Sequence, residues 1–329
     1  MNSPTLLRLV GWVVYTTFRE AMATRLFAAT SLVSGICILF CLTMQISGEP
    51  PLPVEAGETR MRLPLEEVQR IGRDKAEGMD VAYSQVSFLF GTVRLPYRHY
   101  TDDAVIFVQL LLAGFVADTA GVLLALIWTA GFLPGFLDPA RSSVLLAKPT
   151  PRYALLAGQY LGVLAFFAVQ ASIFVFGIWL ALGLATGTWA PLYLLCLPVL
   201  ILHFAVFFGV SAWLAVRTRN TTICLVGSLA FWILCWTVNH GWNAAHAAGT
   251  SGEGSAGLGA AYWLLPKPAD LSGLLFELLH ADQYFGRLLH YNLLGEQGGV
   301  HLAASLVTSL VFAVVALVLS ARRFARIDY

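Results

Sequence analysis

Charge is what this sequence has least of. Only 12% of its 329 residues are charged, and 20 Lys and Arg against 19 Asp and Glu leave a net charge of +1. Ordinary soluble domains are about a quarter charged. The net charge by itself says nothing about nucleic acid, and no nucleic-acid partner is expected. No G-x-x-x-x-G-K-[ST] loop, no H-E-x-x-H and no C-x-x-C occurs, so the usual signatures of ATP hydrolysis, zinc proteolysis and dithiol redox chemistry are missing. Gly252, Gly254 and Gly257 match G-x-G-x-x-G in form but follow no strand, which removes the dinucleotide reading. The five cysteines, Cys37, Cys41, Cys196, Cys224 and Cys235, all fall inside apolar runs and read as small buried hydrophobes. No small-residue cleavage site follows the first apolar run, so a cleavable signal peptide is not expected.

What the sequence has instead is long apolar runs. It is 58% hydrophobic with a mean hydropathy of +0.72. About 20 apolar residues cross the roughly 30 Å hydrocarbon core of a bilayer. The chain is therefore expected to be an all-α integral membrane protein with six transmembrane helices, at about 26–46, 104–133, 152–185, 192–216, 222–239 and 300–321. Residues 1–25 hold Arg8, Arg19 and Glu20 within an apolar stripe and read as an N-terminal amphipathic, interfacial helix. The remainder, 26–329, reads as one six-span domain. An extramembrane insertion at 47–103 follows span one; its middle reads as an amphipathic helix and Tyr83–Val93 as a short strand. Pro198 is expected to kink span four, and a second amphipathic stretch is expected around Leu271–Leu279.

Lysine and arginine set the orientation. With the N-terminus inside, eleven of the twenty basic residues are cytosolic: Arg8, Arg19, Arg25, Arg141, Lys148, Arg152, Arg217, Arg219, Arg322, Arg323 and Arg326. The 240–299 loop holds only Lys267 and Arg287. The positive-inside rule then predicts a multi-pass protein with both termini cytosolic and the 47–103 insertion extracytoplasmic.

Between spans two and three the apolar text breaks at Pro134–Arg152. Asp138 followed by Pro139 writes an N-cap with proline at the first helical position, and Pro149 ends that helix. A capped, basic helix in a cytosolic loop either lies on the lipid surface or docks on a partner. Within the spans, Asp118 is a carboxylate near the middle of span two. Such a group must face the bundle interior, pair or be protonated, which makes it a candidate for a translocation pathway or a polar packing residue. Gln170 in span three and His203 in span four are its candidate partners. His240, His246, His280, His290 and His301 gather on the outer side without compact ligand spacing, and no metal site is expected.

The order of these features resembles the ABC-2 type exporter permeases. The stretch from Val144 to Arg152, VLLAKPTPR, resembles that family's cytosolic segment between spans two and three. TFREAMATRLF before span one, Tyr262-Trp-Leu-Leu-Pro266 before the last span, and the closing Arg323-Phe324-Ala-Arg326-Ile-Asp328 are similar to the family as well. The resemblance implies a permease subunit that is not itself an enzyme and holds no cofactor, with ATP and Mg on a separate cytosolic ATP-binding subunit. It implies a homodimer, or a pair with a related permease, in the cytoplasmic membrane. It also implies that Asp138, Arg141, Val144, Leu145 and Lys148 form a coupling helix docked on the ATPase. The other classes open to the sequence are a non-ABC polytopic transporter and a membrane assembly or scaffold protein.

Overall fold

The longest helix, Arg152–Thr186, is the strut on which the rest is laid, and its boundaries are chemical. Pro151 precedes it with an extended backbone, and Gly187 ends it in the left-handed region at φ +77°. In the computed structural model the described residues are 3–23, 25–47, 84–97, 101–137, 151–248, 256–278 and 302–326. Over these the helices are α1 (Ser3–Ala23), α2 (Arg25–Leu42), α3 (Thr101–Leu110), α4 (Val122–Thr129), α5 (Phe132–Phe136), α6 (Arg152–Thr186), α7 (Cys196–Thr218), α8 (Thr221–Ala247), α9 (Ala256–Leu264), α10 (Pro268–Leu278) and α11 (Leu302–Ala325). A π-helical segment, Leu111–Gly121, joins α3 to α4, and a 3-10 turn, Pro191–Leu195, leads into α7. Strands β1 (Gln45–Ser47), β2 (Ser84–Phe88) and β3 (Val93–Tyr97) form one antiparallel sheet.

Five helical stretches are long and apolar enough to cross a membrane: Ala104–Phe136, Arg152–Thr186, Pro191–Thr218, Thr221–His246 and Ala303–Ala325. The chain is thus a helical, multi-pass membrane protein. A sixth crossing is obtained by taking α1 and α2 together, with a bend of 68° between them.

Side-chain register fixes how the spans lie. Tyr160 stacks on Phe208 and Phe167 on Phe204, so α6 and α7 run antiparallel, and the Tyr160 hydroxyl donates to the Ala205 carbonyl at 2.7 Å. Arg219 turns the chain at φ +51°, and the Asn220 side chain accepts from the amides of Thr222 and Ile223, capping α8. α8 returns along α7, with Phe231 against Phe207 and Leu214 in the space left by Gly227. At the start of α6 the Arg152 guanidinium donates to the Ala325 carbonyl near the end of α11. The ends bearing Arg152, Arg217, Arg219, Arg322 and Arg323 therefore gather on one side of the bundle.

α1 and α2 run beside α6 in the same direction. Val13 sits over Gly158, Thr17 over Gly162 and Ile38 over Gly177; a Cβ on those glycines would lie 2.7, 2.6 and 2.2 Å from the opposing atoms. The Thr17 hydroxyl also donates to Gln159 Oε1 at 2.6 Å. One face of α1 is thus packed on the bundle, with Val13, Thr17 and Ala21 buried.

Three local expectations are corrected. Residues expected at the end of span one leave the helix at Leu42, and Gln45–Ser47 pair with Gln85–Ser87 as the edge of the sheet. Tyr83–Val93 is not one strand: a turn at Leu89–Thr92 divides it between β2 and β3, because those turn residues take left-handed backbone at Leu89, Phe90 and Gly91. Pro198 does not kink α7 but lies in its first turn, where a missing amide costs little. The amphipathic helix expected in the middle of 47–103 lies outside the described residues.

Candidate functional site

Asp118 is fully buried within the π-helical segment. A π turn widens the helix by one residue and re-aims the side chains on it, and such turns recur at functional positions. The Thr119 hydroxyl donates five residues back to the Gly114 carbonyl at 3.2 Å, and a Cβ on Gly121 would sit 3.1 Å from the Val116 carbonyl oxygen. Both contacts belong to the wider pitch.

The carboxylate meets His203 of α7, Oδ1 to Nδ1, at 2.6 Å, and Ser272 of α10 donates to its other oxygen. On the far side of the imidazole the Trp232 indole N–H points at Nε2 from 3.4 Å. Indole can only donate, so Nε2 accepts, and the ring hydrogen sits on Nδ1 and is given to Asp118. The arrangement is an imidazole on a carboxyl group with a hydrogen shared between them, buried among residues from Ala104–Phe136, Pro191–Thr218, Thr221–His246 and α10. The Phe207 ring lies against the imidazole at a tilt of 55°, with centroids 5.3 Å apart.

α10 ties this pair to a second polar cluster. Two residues before Ser272, Asp270 accepts four hydrogen bonds: from Asn239 Nδ2 at 2.8 Å, Asn243 Nδ2 at 3.2 Å, the Tyr262 hydroxyl at 2.6 Å and Ser305 Oγ at 2.6 Å. Asn239 turns its carbonyl oxygen to the amides of Ala269 and Asp270, at 2.9 and 3.1 Å, and so caps the N-terminus of α10 from a neighbouring helix. Lys267 is 1% exposed; its ammonium donates to Thr308 Oγ1 at 2.6 Å and lies 4.7 Å over the Tyr262 ring and 5.0 Å over Trp263. Burial pushes this amine below its ordinary value, and the nearby Asp270 carboxylate opposes that shift. A carboxylate with four donors and a cation held by two rings and a hydroxyl are each satisfied as buried charges require.

Of the sequence candidates, Asp118 and His203 are brought together. Gln170 is not: it faces α2, accepting from Ser31 Oγ at 3.4 Å and donating to Ser34 Oγ at 3.3 Å, because its side of α6 is the one α2 covers. Asp138, Arg141, Val144, Leu145 and Lys148 lie outside the described residues, as do His280, His290 and His301. His240 and His246 lie against the rings of Trp236 and Trp242 in tilted contacts, with centroids 4.3 and 4.2 Å apart. Sequence reasoning missed Ser272, Trp232 and the whole Asp270 cluster. The available signal was Asp270 two residues past Pro268 at the head of an apolar stretch, a helix start with an acid in its first turn. The amphipathic stretch expected around Leu271–Leu279 falls largely in α10, with Ala269, Asp270, Leu271 and Leu275 buried against the spans. No protein-family model and no curated protein sequence matches this chain.

Proposed function

We propose that the chain is the membrane-spanning permease subunit of an ATP-driven export system of the ABC-2 type, working with a separate cytosolic ATP-binding subunit. The observation that carries the reading is an order of short stretches: TFREAMATRLF at the α1–α2 junction, VLLAKPTPR ahead of α6, Tyr262–Pro266 ahead of α10, and Arg323–Asp328 at the close. They are strung along a multi-pass helical bundle that gathers its basic helix ends on one side. On this reading that side is cytosolic, both termini lie there, α1 with α2 supplies the sixth crossing, and a second permease copy or a related one completes the assembly. On the same reading residues 138–148 are the segment that docks on the ATPase. The sequence holds no G-x-x-x-x-G-K-[ST] loop, and on this reading ATP is hydrolysed by the separate subunit.

A second reading, an ion-coupled transporter outside the ABC class, is favoured by one observation: the buried Asp118–His203 pair holds a proton in the middle of the spans. The two are separated by the energy source. In vesicles containing the chain and any P-loop ATPase that co-purifies with it, the ABC reading expects ATP hydrolysis that depends on both chains. Movement of a substrate driven by a proton gradient alone, with no ATPase bound, would replace it with the second reading.

A further inference from the structure

We propose that the tip of the β2–β3 hairpin, Leu89 and Phe90, is a membrane anchor that inserts into the lipid surface beside the C-terminal end of α2. Phe90 is 79% exposed, and Leu89 and Val93 beside it are also exposed. Leu89, Phe90 and Gly91 occupy the left-handed region in succession, at φ +52°, +56° and +88°. Bulky non-glycine residues rarely take that conformation, and hairpin tips that need it normally use Asn and Gly. Two large apolar side chains are thus presented outward from a strained turn, where small polar residues would satisfy the geometry better.

The turn is held in place. The Leu89 amide donates to Thr43 Oγ1 at 3.1 Å, the Thr92 hydroxyl to the Leu89 carbonyl at 2.8 Å, and Arg94 Nε to the Gly91 carbonyl at 3.2 Å. At its base Phe88 stacks on Phe40 of α2, with ring centroids 5.1 Å apart. The tip is therefore fastened to the end of α2.

That position is at the edge of the hydrocarbon. Ile38 of α2 packs at Gly177 of α6. Five residues later, at a rise of about 1.5 Å each, Thr43 stands level with Leu182, one turn before α6 ends. The next residue, Gly183, is covered by Trp189, which makes an edge contact with Trp179. Paired tryptophans at a span end mark the headgroup level. The tip also continues the apolar outer face of α2, where Leu32, Ile36, Leu39 and Phe40 are exposed. That face belongs to a bundle of membrane-spanning length, so its natural cover is lipid. Lipid contact at the tip extends it without a break, and Arg94 beside the tip can reach phosphate headgroups.

The test is site-directed spin labelling of the full chain in phosphatidylcholine vesicles, with the five native cysteines replaced by alanine. The labels are Phe90→Cys and, on exposed Gln85 of the same hairpin, Gln85→Cys. Leu89→Cys repeats the tip measurement if the Phe90 variant is not recovered. At the tip, collisions with dissolved oxygen are expected to exceed those with a water-soluble nickel chelate, and the ratio is expected to reverse at Gln85. A tip that collides preferentially with the chelate lies in water and overturns the proposal. A tip shielded from both reagents is covered by protein, a second copy or a partner, and overturns it equally.

Discussion

Asp118 and His203, 85 residues apart in sequence, meet at 2.6 Å in the buried centre of the bundle. The contact is directional. Trp232 donates to one ring nitrogen, so the other must donate to the carboxylate. Removing the ring strands a buried charge. His203→Ala is expected to cost about 3–5 kcal/mol of stability. His203→Gln keeps a donor towards Asp118 and an acceptor towards Trp232, and is expected to lose only ~1–2 kcal/mol. Thermal unfolding of the two variants in detergent checks the ordering.

Asp118→Asn separates structure from function at the same point. The amide oxygen can accept from His203 and the amide nitrogen can donate to Ser272, so folding and membrane yield are expected to be nearly unchanged. If the residue lines a pathway, the ATP hydrolysis stimulated by transported substrate changes by tenfold or more, a difference of ~1.4 kcal/mol in the rate-limiting step. A variant that expresses poorly yet keeps full specific activity assigns Asp118 to packing.

Asp270 is the more expensive residue to lose. Asp270→Ala leaves two amides, a phenol and a serine hydroxyl without their acceptor and Lys267 without its nearby negative charge. The expected cost is about 3–5 kcal/mol. Tyr262→Phe removes one donor of four and is expected to cost ~1–2 kcal/mol. Equal losses in the two variants, read as unfolding midpoints, would contradict the assignment of Asp270 as the hub.

Lys267 gives the fold an alkaline signature. Its amine is pushed below the ordinary 10.5 by burial. Between its folded value and 10.5 the unfolded chain binds the proton and the folded chain does not. Stability therefore rises with pH across that window, and the penalty is fully present below it. Unfolding midpoints measured from neutral to alkaline pH should climb more steeply in the wild type than in Lys267→Met.

How much of this was legible in the residues follows from contrast. A charge inside an apolar run stands out, so Asp118 and His203 could be picked and paired. Gln170 stood out equally, but a sequence does not say which helix covers which side of α6, and there α2 does. Ser272 and Trp232 are compatible with any environment and give no signal. Asp270 and Asn243 lie in the 240–299 stretch read as loop and Asn239 at the very end of the expected fifth span, and only the entry of α10 between the spans turns them into a buried cluster. The span lengths were legible because the bilayer fixes them. The π turn at Asp118 was not, since one extra residue per turn leaves no mark on composition.

The docking of α1 rests on two glycines. A side chain at Gly162 would press on Thr17, whose Cβ lies 2.6 Å from where the new Cβ would stand. Gly162→Val is expected to push α1 from α6 and cost about 1–3 kcal/mol. Trimming Thr17 to alanine in the same chain should recover part of that loss, and no recovery in the double variant would show that the two positions do not couple.

The measurement that bears most directly on the central claim is co-purification from detergent of the tagged chain, with the proteins that remain bound to it assayed for ATP hydrolysis. The wild type is expected to retain an ATP-hydrolysing partner. Leu145→Asp is expected to release it while the chain stays folded in the membrane, since apolar anchors at the centre of an interface commonly carry about 2 kcal/mol or more. Arg141→Ala is expected to weaken the association mainly at raised salt. A wild-type chain that retains no ATPase, or a Leu145→Asp chain that retains it and couples normally, contradicts the account.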